Sequence, residues 1–589
     1  MHRPTPHADI DGRHLAVLLG ALAGALALAW PFAEGGIVDD FAYVHMVKVL
    51  ADTGRFAYNG WPTAMIGLQA WWAAAWVHLF GFSFTLVRLS VLPLAYGAVV
   101  LASMLARRAC LGPRDSLFVG LTIAVMPLFF RLVPTFMTDL PALCFLLASL
   151  YAFTRAAEAP DRGDARPWST AGWLVTATAL ALAGGTIRQN VWLAAPVGAA
   201  CVAALRGTGR PARLAAAVCC VVGVACLLAG TRWFNRQPYA IPSQLTLAAS
   251  PIDLLMGVGQ AVKKALVQML PGLAFCLPPL LAARVRSRTA ALVWIGSAAV
   301  ACCLLWSQIL RAGRAGHPLP TFGLWGGLGE THAWARSLVA TAWLGLRLTP
   351  VVAGVAVAGI ELRCRGRAAV ADLIRLPPAL LITLAYLAAY TGAVALASRT
   401  TGGLFDRYVL PHIPILTIWM MLYTRRSLAA VPPGARAAAA GEGWGWAALA
   451  VAGAVAIADT HDSFAITRAR LTAIARLEAL GVPRERIMAG MSLDGWEQIE
   501  RGGHVNDRRL QRPPGAYRPL PPDGDAAVPL RGCLPLLVPE YIVTADPLFF
   551  PGDGSPLPEV PFTTWLPPYD QQVRVHHQPS PAPPPPADR

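Results

Sequence analysis

Leu15 to Ala33 is a run of nineteen residues without a charge, and apolar runs of similar length recur along the chain. A helix needs about 17 to 25 such residues to cross a hydrocarbon core, where every backbone polar group must be satisfied within the segment. Further runs extend over Phe84 to Ala106, Ser116 to Val133, Asp139 to Phe153, Ser169 to Thr186, Trp192 to Leu205 and Leu214 to Thr231. They continue over Leu266 to Ala283, Thr289 to Leu310, Ser337 to Ile360, Leu376 to Ala397, Val409 to Tyr423 and Gly443 to Asp459. The pattern predicts a polytopic α-helical membrane protein with about thirteen spans. A signal peptide is the competing reading of the first run, but the later runs make an uncleaved anchor sufficient.

Charge supports the class and orients it. Only 14% of the 589 residues are charged, against about 25% in soluble domains, which argues against a water-soluble globule, a nucleic-acid-binding module and a disordered scaffold. Lys and Arg concentrate in short cytoplasmic loops. With thirteen spans and the amino-terminus inside, the inner loops hold 19 Arg in 65 residues and the outer loops 12 Lys plus Arg in 131. That bias reverses if Trp61 to Phe80 also spans. Its Gln69, His78 and four Trp suit a helix at the interface instead. Pro251 to Val262 reads as a second interfacial helix, ahead of Lys263 and Lys264. Arg347 stands isolated inside a span and must pair or snorkel.

The expected organisation is a membrane domain over 1–459, an extracytoplasmic α/β domain over 460–577 and a Pro-rich disordered tail over 578–589. Within the second part, Arg468 to Leu480 reads as an amphipathic helix, Arg486 to Met491 as a strand, Gly495 to Glu500 as a short helix and Tyr541 to Thr544 as a strand. Of eleven Cys, only Cys533 falls clearly outside, so no structural disulfide is expected. Cys219-Cys220 and Cys302-Cys303 read as packing residues, and no Cys/His spacing suggests zinc.

Ionisable residues at a membrane boundary are costly unless paired or used. Four clusters fall on the outer side of this topology. Asp39-Asp40 follows the first span, with Tyr43 on the Asp40 face; Asp39 is placed to cap a helix, and the pair could supply a general base. Asp139 begins a span, with Pro141 two residues on, again consistent with a cap. Arg188 lies in Gly184-Gly185-Thr186-Ile187-Arg188-Gln189-Asn190, a tight hairpin where a cation could neutralise phosphate or bind lipid headgroups. Arg407 and Tyr408 lie in Phe405-Asp406-Arg407-Tyr408-Val409-Leu410-Pro411, where anion binding competes with an ordinary interface anchor.

Taken in order, Asp39-Asp40-x-x-Tyr43, Leu79-Phe80-Gly81-Phe82-Ser83 leading to Arg88, Thr138-Asp139, Thr186-Ile187-Arg188-Gln189 and Arg407-Tyr408-Val409-Leu410-Pro411 resemble the polytopic glycosyltransferases of the C-type fold. The group is family 39, which includes protein O-mannosyltransferases and lipid A aminoarabinose transferases. The resemblance runs from about residue 10 to 425. It implies an inverting transferase, hexosyl or pentosyl, moving a sugar from a polyprenyl-phosphate donor to a lipid, glycan or protein acceptor on the extracytoplasmic face of an inner membrane. It implies Asp39 or Asp40 as base, Asp139 as an orienting acid, and Tyr43, Arg188, Arg407 and Tyr408 as substrate-binding residues. One departure is Trp61-Pro62, where the aminoarabinose transferases carry a phosphate-binding Lys before the proline. The expected partners are the donor, membrane lipids and the acceptor, with no nucleic acid. No cofactor is required; whether a divalent cation binds the carboxylates is left open. The alternative reading is a polytopic transporter or flippase, whose usual signature of repeated halves with broken helices is not found here. A non-catalytic assembly protein is a third.

Overall fold

The computed structural model describes residues 10–159, 167–205, 209–242, parts of 257–276, 376–397, 406–429, 442–519, 532–545, 557–566 and 570–577. The expected spans Thr289 to Leu310 and Ser337 to Ile360, most of Leu266 to Ala283, most of the Pro251 to Val262 helix, Arg347, Cys302-Cys303 and the tail lie outside these residues.

Fifteen α-helices order the described residues: α1 (Gly12–Ala29), α2 (Asp40–Thr53), α3 (Gly67–Phe80), α4 (Phe84–Leu89), α5 (Leu92–Arg108), α6 (Pro113–Ala124), α7 (Pro127–Leu132), α8 (Asp139–Glu158), α9 (Pro167–Ile187), α10 (Ala194–Ala204), α11 (Arg210–Phe234), α12 (Pro378–Ala397), α13 (His412–Ala429), α14 (Glu442–Ala479) and α15 (Met491–Gly502). Seven membrane-crossing candidates are long and apolar enough among them. One unites α4 and α5.

Several expected boundaries change for physical reasons. Ser116 to Val133 does not form one helix, because Pro127 has no amide to donate and holds Met126 extended, at φ −62° and ψ 127°. α6 therefore stops at Ala124 and α7 restarts on the proline. Trp192 to Leu205 divides into a 3-10 turn (Gln189–Leu193) and the eleven-residue α10. The fourteen residues of α3 extend about 21 Å at 1.5 Å each, short of a hydrocarbon core. Its Trp71, Trp72, Leu79 and Phe80 are exposed.

The last span and the expected amphipathic helix at Arg468 are one element. α14 runs 38 residues without interruption across 459 and 460, about 57 Å at helical rise. Its far end carries a four-stranded sheet, β1 (Ile487–Met488), β2 (Tyr541–Thr544), β3 (Val560–Thr563) and β4 (Asp570–His577), in the order β1-β2-β4-β3. β1 pairs parallel with β2, and β4 runs antiparallel to both β2 and β3. Ala469, Ala473 and Leu477, one face of α14 at spacing four, pack on Ile487, Val543, Val573 and Val575. β2 falls where the sequence predicts it; β1 is shorter than expected, and β3 and β4 were not anticipated. β4 shows the alternation of a half-buried strand, with Val573 and Val575 buried between Gln572, Arg574 and His576.

This terminal unit sits on the segment that follows α1. Arg468 donates to the carbonyls of Trp30 and Phe32 at 3.2 and 3.0 Å. Lys48 reaches Glu500 at 2.7 Å. Trp496 packs against Phe84 and His45 at centroid distances of 4.7 and 5.6 Å. A main-chain bond from Val505 to Asn59, 2.9 Å, adds a further attachment.

Candidate active site

Asp39 and Asp40 are adjacent in sequence and differ completely in environment. Asp40 is fully buried and accepts from Arg88 Nε at 2.8 Å and Nη2 at 3.2 Å, from the Ile37 amide at 2.7 Å and from the Phe136 amide at 3.3 Å. Arg88 in turn donates to the carbonyls of Ala33 and Gly35 at 2.7 and 2.5 Å. A buried charge pair persists only when its remaining hydrogen-bonding capacity is met, and here it is. Asp40, with Asp39 an expected candidate for the base, ties α2 to α4 and to the turn before α8.

Asp39 stands at the first turn of α2 but its side chain does not cap the helix. Its carboxylate keeps 22% of its exposure and accepts from Arg407 Nη1 at 2.8 Å. The expected cap therefore gives way to an ion pair between residues 368 positions apart. Asp139 departs from expectation in the same sense. Thr138 takes the position before α8, and neither side chain caps it. Asp139 Oδ1 pairs with Arg188 Nη1, while Oδ2, buried, has no hydrogen-bond partner.

Arg188 reaches this point because the 3-10 turn that follows it folds back closely on α9. A Cβ on Gly185 would lie 1.9 Å from the Trp192 ring, so only glycine lets that indole wedge against α9. Trp192 Nε1 donates to the Leu182 carbonyl at 3.1 Å and closes the corner. The segment between α2 and α3 pins the same corner: Ile66 donates to the Ile187 carbonyl at 3.0 Å and the Leu68 amide to Thr186 Oγ1 at 3.3 Å. The guanidinium then projects over the Tyr408 ring, 5.1 Å from its centroid, with Arg407 at 6.0 Å.

The cleft at this meeting point is lined by Asp139, Arg188, Asn190, Tyr390, Arg407, Leu410 and Pro411, and by Ala142, Leu143 and Leu146 along α8. Tyr390 donates to the Tyr408 carbonyl at 2.8 Å. Burial opposes the charged form of both arginines, but Asp139 raises Arg188 and Asp139 with Asp39 raises Arg407, so both stay cationic. Burial, then Asp39, pushes the Tyr43 hydroxyl up, partly offset by Arg407 and Arg188. Among the described residues no group of three His, Cys, Asp or Glu is arranged to hold a metal ion.

Of the expected site residues, Asp39, Tyr43, Asp139, Arg188, Arg407 and Tyr408 are brought together; Asp40 is withdrawn behind them. Sequence reasoning overlooked Tyr390 and assigned no role to Asn190, whose Oδ1 is also buried without a partner. Tyr390 carried no usable signal, being one aromatic inside an apolar span.

Residues 68–186 match the dolichyl-phosphate-mannose-protein mannosyltransferase family. The match carries the family resemblance read from the sequence; it includes Arg88 and Asp139 and stops short of Arg188, while Asp39 and Arg407 lie outside it. No curated protein sequence matches the chain significantly. Among solved structures, the chain is similar to ArnT from Cupriavidus metallidurans bound to undecaprenyl phosphate, at 12% identity and TM-score 0.43, covering 96% of this chain and 97% of that one. It is also similar to the oligosaccharyltransferase AglB from Archaeoglobus fulgidus in complex with an inhibitory peptide and a dolichol-phosphate, at 15% identity and TM-score 0.41, covering 80% of this chain and 58% of that one.

Proposed function

We propose that this chain is an inverting glycosyltransferase that moves a sugar from a polyprenyl-phosphate donor to a lipid, glycan or protein acceptor on the extracytoplasmic face of the inner membrane. The observation that carries the reading is the convergence of Asp39, Asp139, Arg188 and Arg407, from four separate elements, at the mouth of a cleft with an apolar wall along α8. The family match over residues 68–186 supports the class of reaction. The Arg-rich loops of the sequence support an inside amino-terminus and an outer terminal domain.

The chemistry is a single displacement. Asp39 accepts the proton of the acceptor nucleophile as that atom bonds to the anomeric carbon. The bond from that carbon to the phosphate oxygen breaks, and polyprenyl phosphate leaves with the electron pair. Arg188 and Arg407 hold the charge that develops on the phosphate, where fixed cations act strongly because water is sparse. Both already balance carboxylates, so neither is an uncompensated buried charge before the donor binds. Asp139 Oδ2 and Asn190 Oδ1, two buried acceptors without partners, suit the hydroxyls of a sugar. Ala142, Leu143 and Leu146 make the adjoining wall apolar.

The test is reconstitution in liposomes with undecaprenyl phosphate carrying mannose, glucose or aminoarabinose, and with lipid, glycan and peptide acceptors. Transfer with inversion, abolished in Asp39→Asn, is expected. Passage of the lipid-linked sugar across the bilayer without transfer would instead establish the flippase reading.

A further inference from the structure

Val38 occupies the left-handed region at φ +55°, which a β-branched residue adopts only under constraint because its Cβ crowds the following carbonyl. It is a corner of the turn closed by the Asp40 amide on the Ile37 carbonyl at 3.2 Å. Turns with a positive φ at that corner favour glycine or asparagine. The next residue is Asp39, so the conformation of Val38 decides where that carboxylate points.

The constraint comes from two sides. From within, buried Asp40 accepts the Ile37 amide at 2.7 Å and is itself held by Arg88. From outside, Ser492 at the start of α15 donates its hydroxyl to the Val38 carbonyl at 2.7 Å. The approach needs the glycine before the turn: a Cβ on Gly36 would lie 2.4 Å from the Ser492 carbonyl. The Val38 side chain packs on the small cluster of Ala33, Ile37 and Phe464, the last from α14, which Leu471 of α14 also joins. The terminal unit thus touches the strained turn through both backbone and side chain.

We infer that the terminal domain is a positioning element of the cleft, and that Ser492 holds Val38 in its left-handed conformation and thereby keeps Asp39 on Arg407. Ser492 acts through the turn and is a positioning residue, not a catalytic one. A strained conformation persists only where its surroundings over-determine it, and this hydrogen bond is the part of those surroundings that the terminal domain supplies. The inference rests on the glycosyltransferase reading only for its kinetic consequence.

The experiment uses the full chain in nanodiscs and compares wild type, Ser492→Ala, Val38→Gly and the double variant. Amide hydrogen exchange is the first readout. In Ser492→Ala the amides of residues 36–41 are expected to exchange about 10-fold faster or more, with the rest of α2 and α15 unchanged, because the turn opens locally. The double variant is expected to be less affected, because glycine adopts the positive φ without strain. The second readout is transfer from whichever of the three undecaprenyl-phosphate sugars the wild type turns over. Ser492→Ala is expected to lose about 10- to 100-fold in kcat, the scale of a misplaced reacting group, with the donor KM unchanged and partial rescue in the double variant. Unchanged exchange at 36–41, or faster exchange throughout α15, overturns the positioning role; the second outcome means that the domain has merely detached. Absence of transfer by the wild type would overturn the proposed reaction, and the exchange data would still decide the role of Ser492.

Discussion

Arg407 donates to Asp39 at 2.8 Å across a separation of 368 residues, and Arg407 lines the same cleft as the second ion pair, Arg188 with Asp139. Each guanidinium also lies over the face of Tyr408. A cation over an aromatic face is attracted by the ring quadrupole, so Tyr408 adds a second partner to each guanidinium besides its carboxylate.

Asp39→Asn is expected to lower transfer by about 10²- to 10⁴-fold, the usual contribution of a general base, with little loss of thermal stability, because the side chain is partly exposed. Turnover with polyprenyl-phosphate sugars and thermal unfolding in the same detergent measure both. Wild-type turnover in this variant removes Asp39 from the reaction.

Asp40→Asn is expected to behave in the opposite way. It leaves Arg88 buried with its charge unbalanced, and breaking such a pair costs about 3–5 kcal/mol. The folded yield and melting temperature should fall sharply, while replacing both partners with apolar residues (Asp40→Leu with Arg88→Met) should cost less than either single change. A stable Asp40→Asn protein would show that the pair does not hold α2.

Arg188→Ala and Arg407→Ala should each weaken productive donor binding by about 10- to 100-fold, the range of a charge-assisted hydrogen bond worth roughly 1.5–3 kcal/mol. Arg188→Lys should recover part of this, since lysine keeps the charge but loses the planar stack on Tyr408. Equal losses for Lys and Ala at position 188 would mean that charge is not what Arg188 contributes.

Gly185→Ala drives a methyl group into the Trp192 ring. Overpacking of this kind costs about 1–3 kcal/mol, and the displaced corner should carry Arg188 with it. Melting temperature and donor KM are expected to deteriorate together, and Trp192→Leu in the same chain should restore both in part.

Acidification should loosen the terminal domain through His45. Burial lowers its pKa from 6.5 to about 4, partly offset by Glu500, with Lys48 acting in the same direction as burial. The unfolded chain therefore binds more protons than the folded one between these values. This contribution to stability is complete above pH 6.5 and is lost as pH falls toward 4. His45→Gln should flatten the pH dependence of unfolding across that window, and an unaltered slope would remove His45 from the linkage.

The membrane class, the boundary positions of the acidic residues and the start of α2 could be read directly from the chain, because hydropathy and charge are local quantities that the bilayer imposes on each segment. Gly184-Gly185 and Asp139 stood out for the same reason. Which of two neighbouring aspartates is exposed did not follow, since Arg88 and Arg407, which sort them, come from distant segments and are chemically alike. The uninterrupted α14 was equally hidden: its polarity changes midway, yet backbone hydrogen bonds continue through a change of solvent. The strain at Val38 depends on Ser492 lying against Gly36, a contact made only when the last part of the chain returns to the first. Sequence alone determined where charge could stand, through the cost of burying it; the tertiary structure decided which charges meet, because pairing energy depends on distances in space that no local pattern encodes.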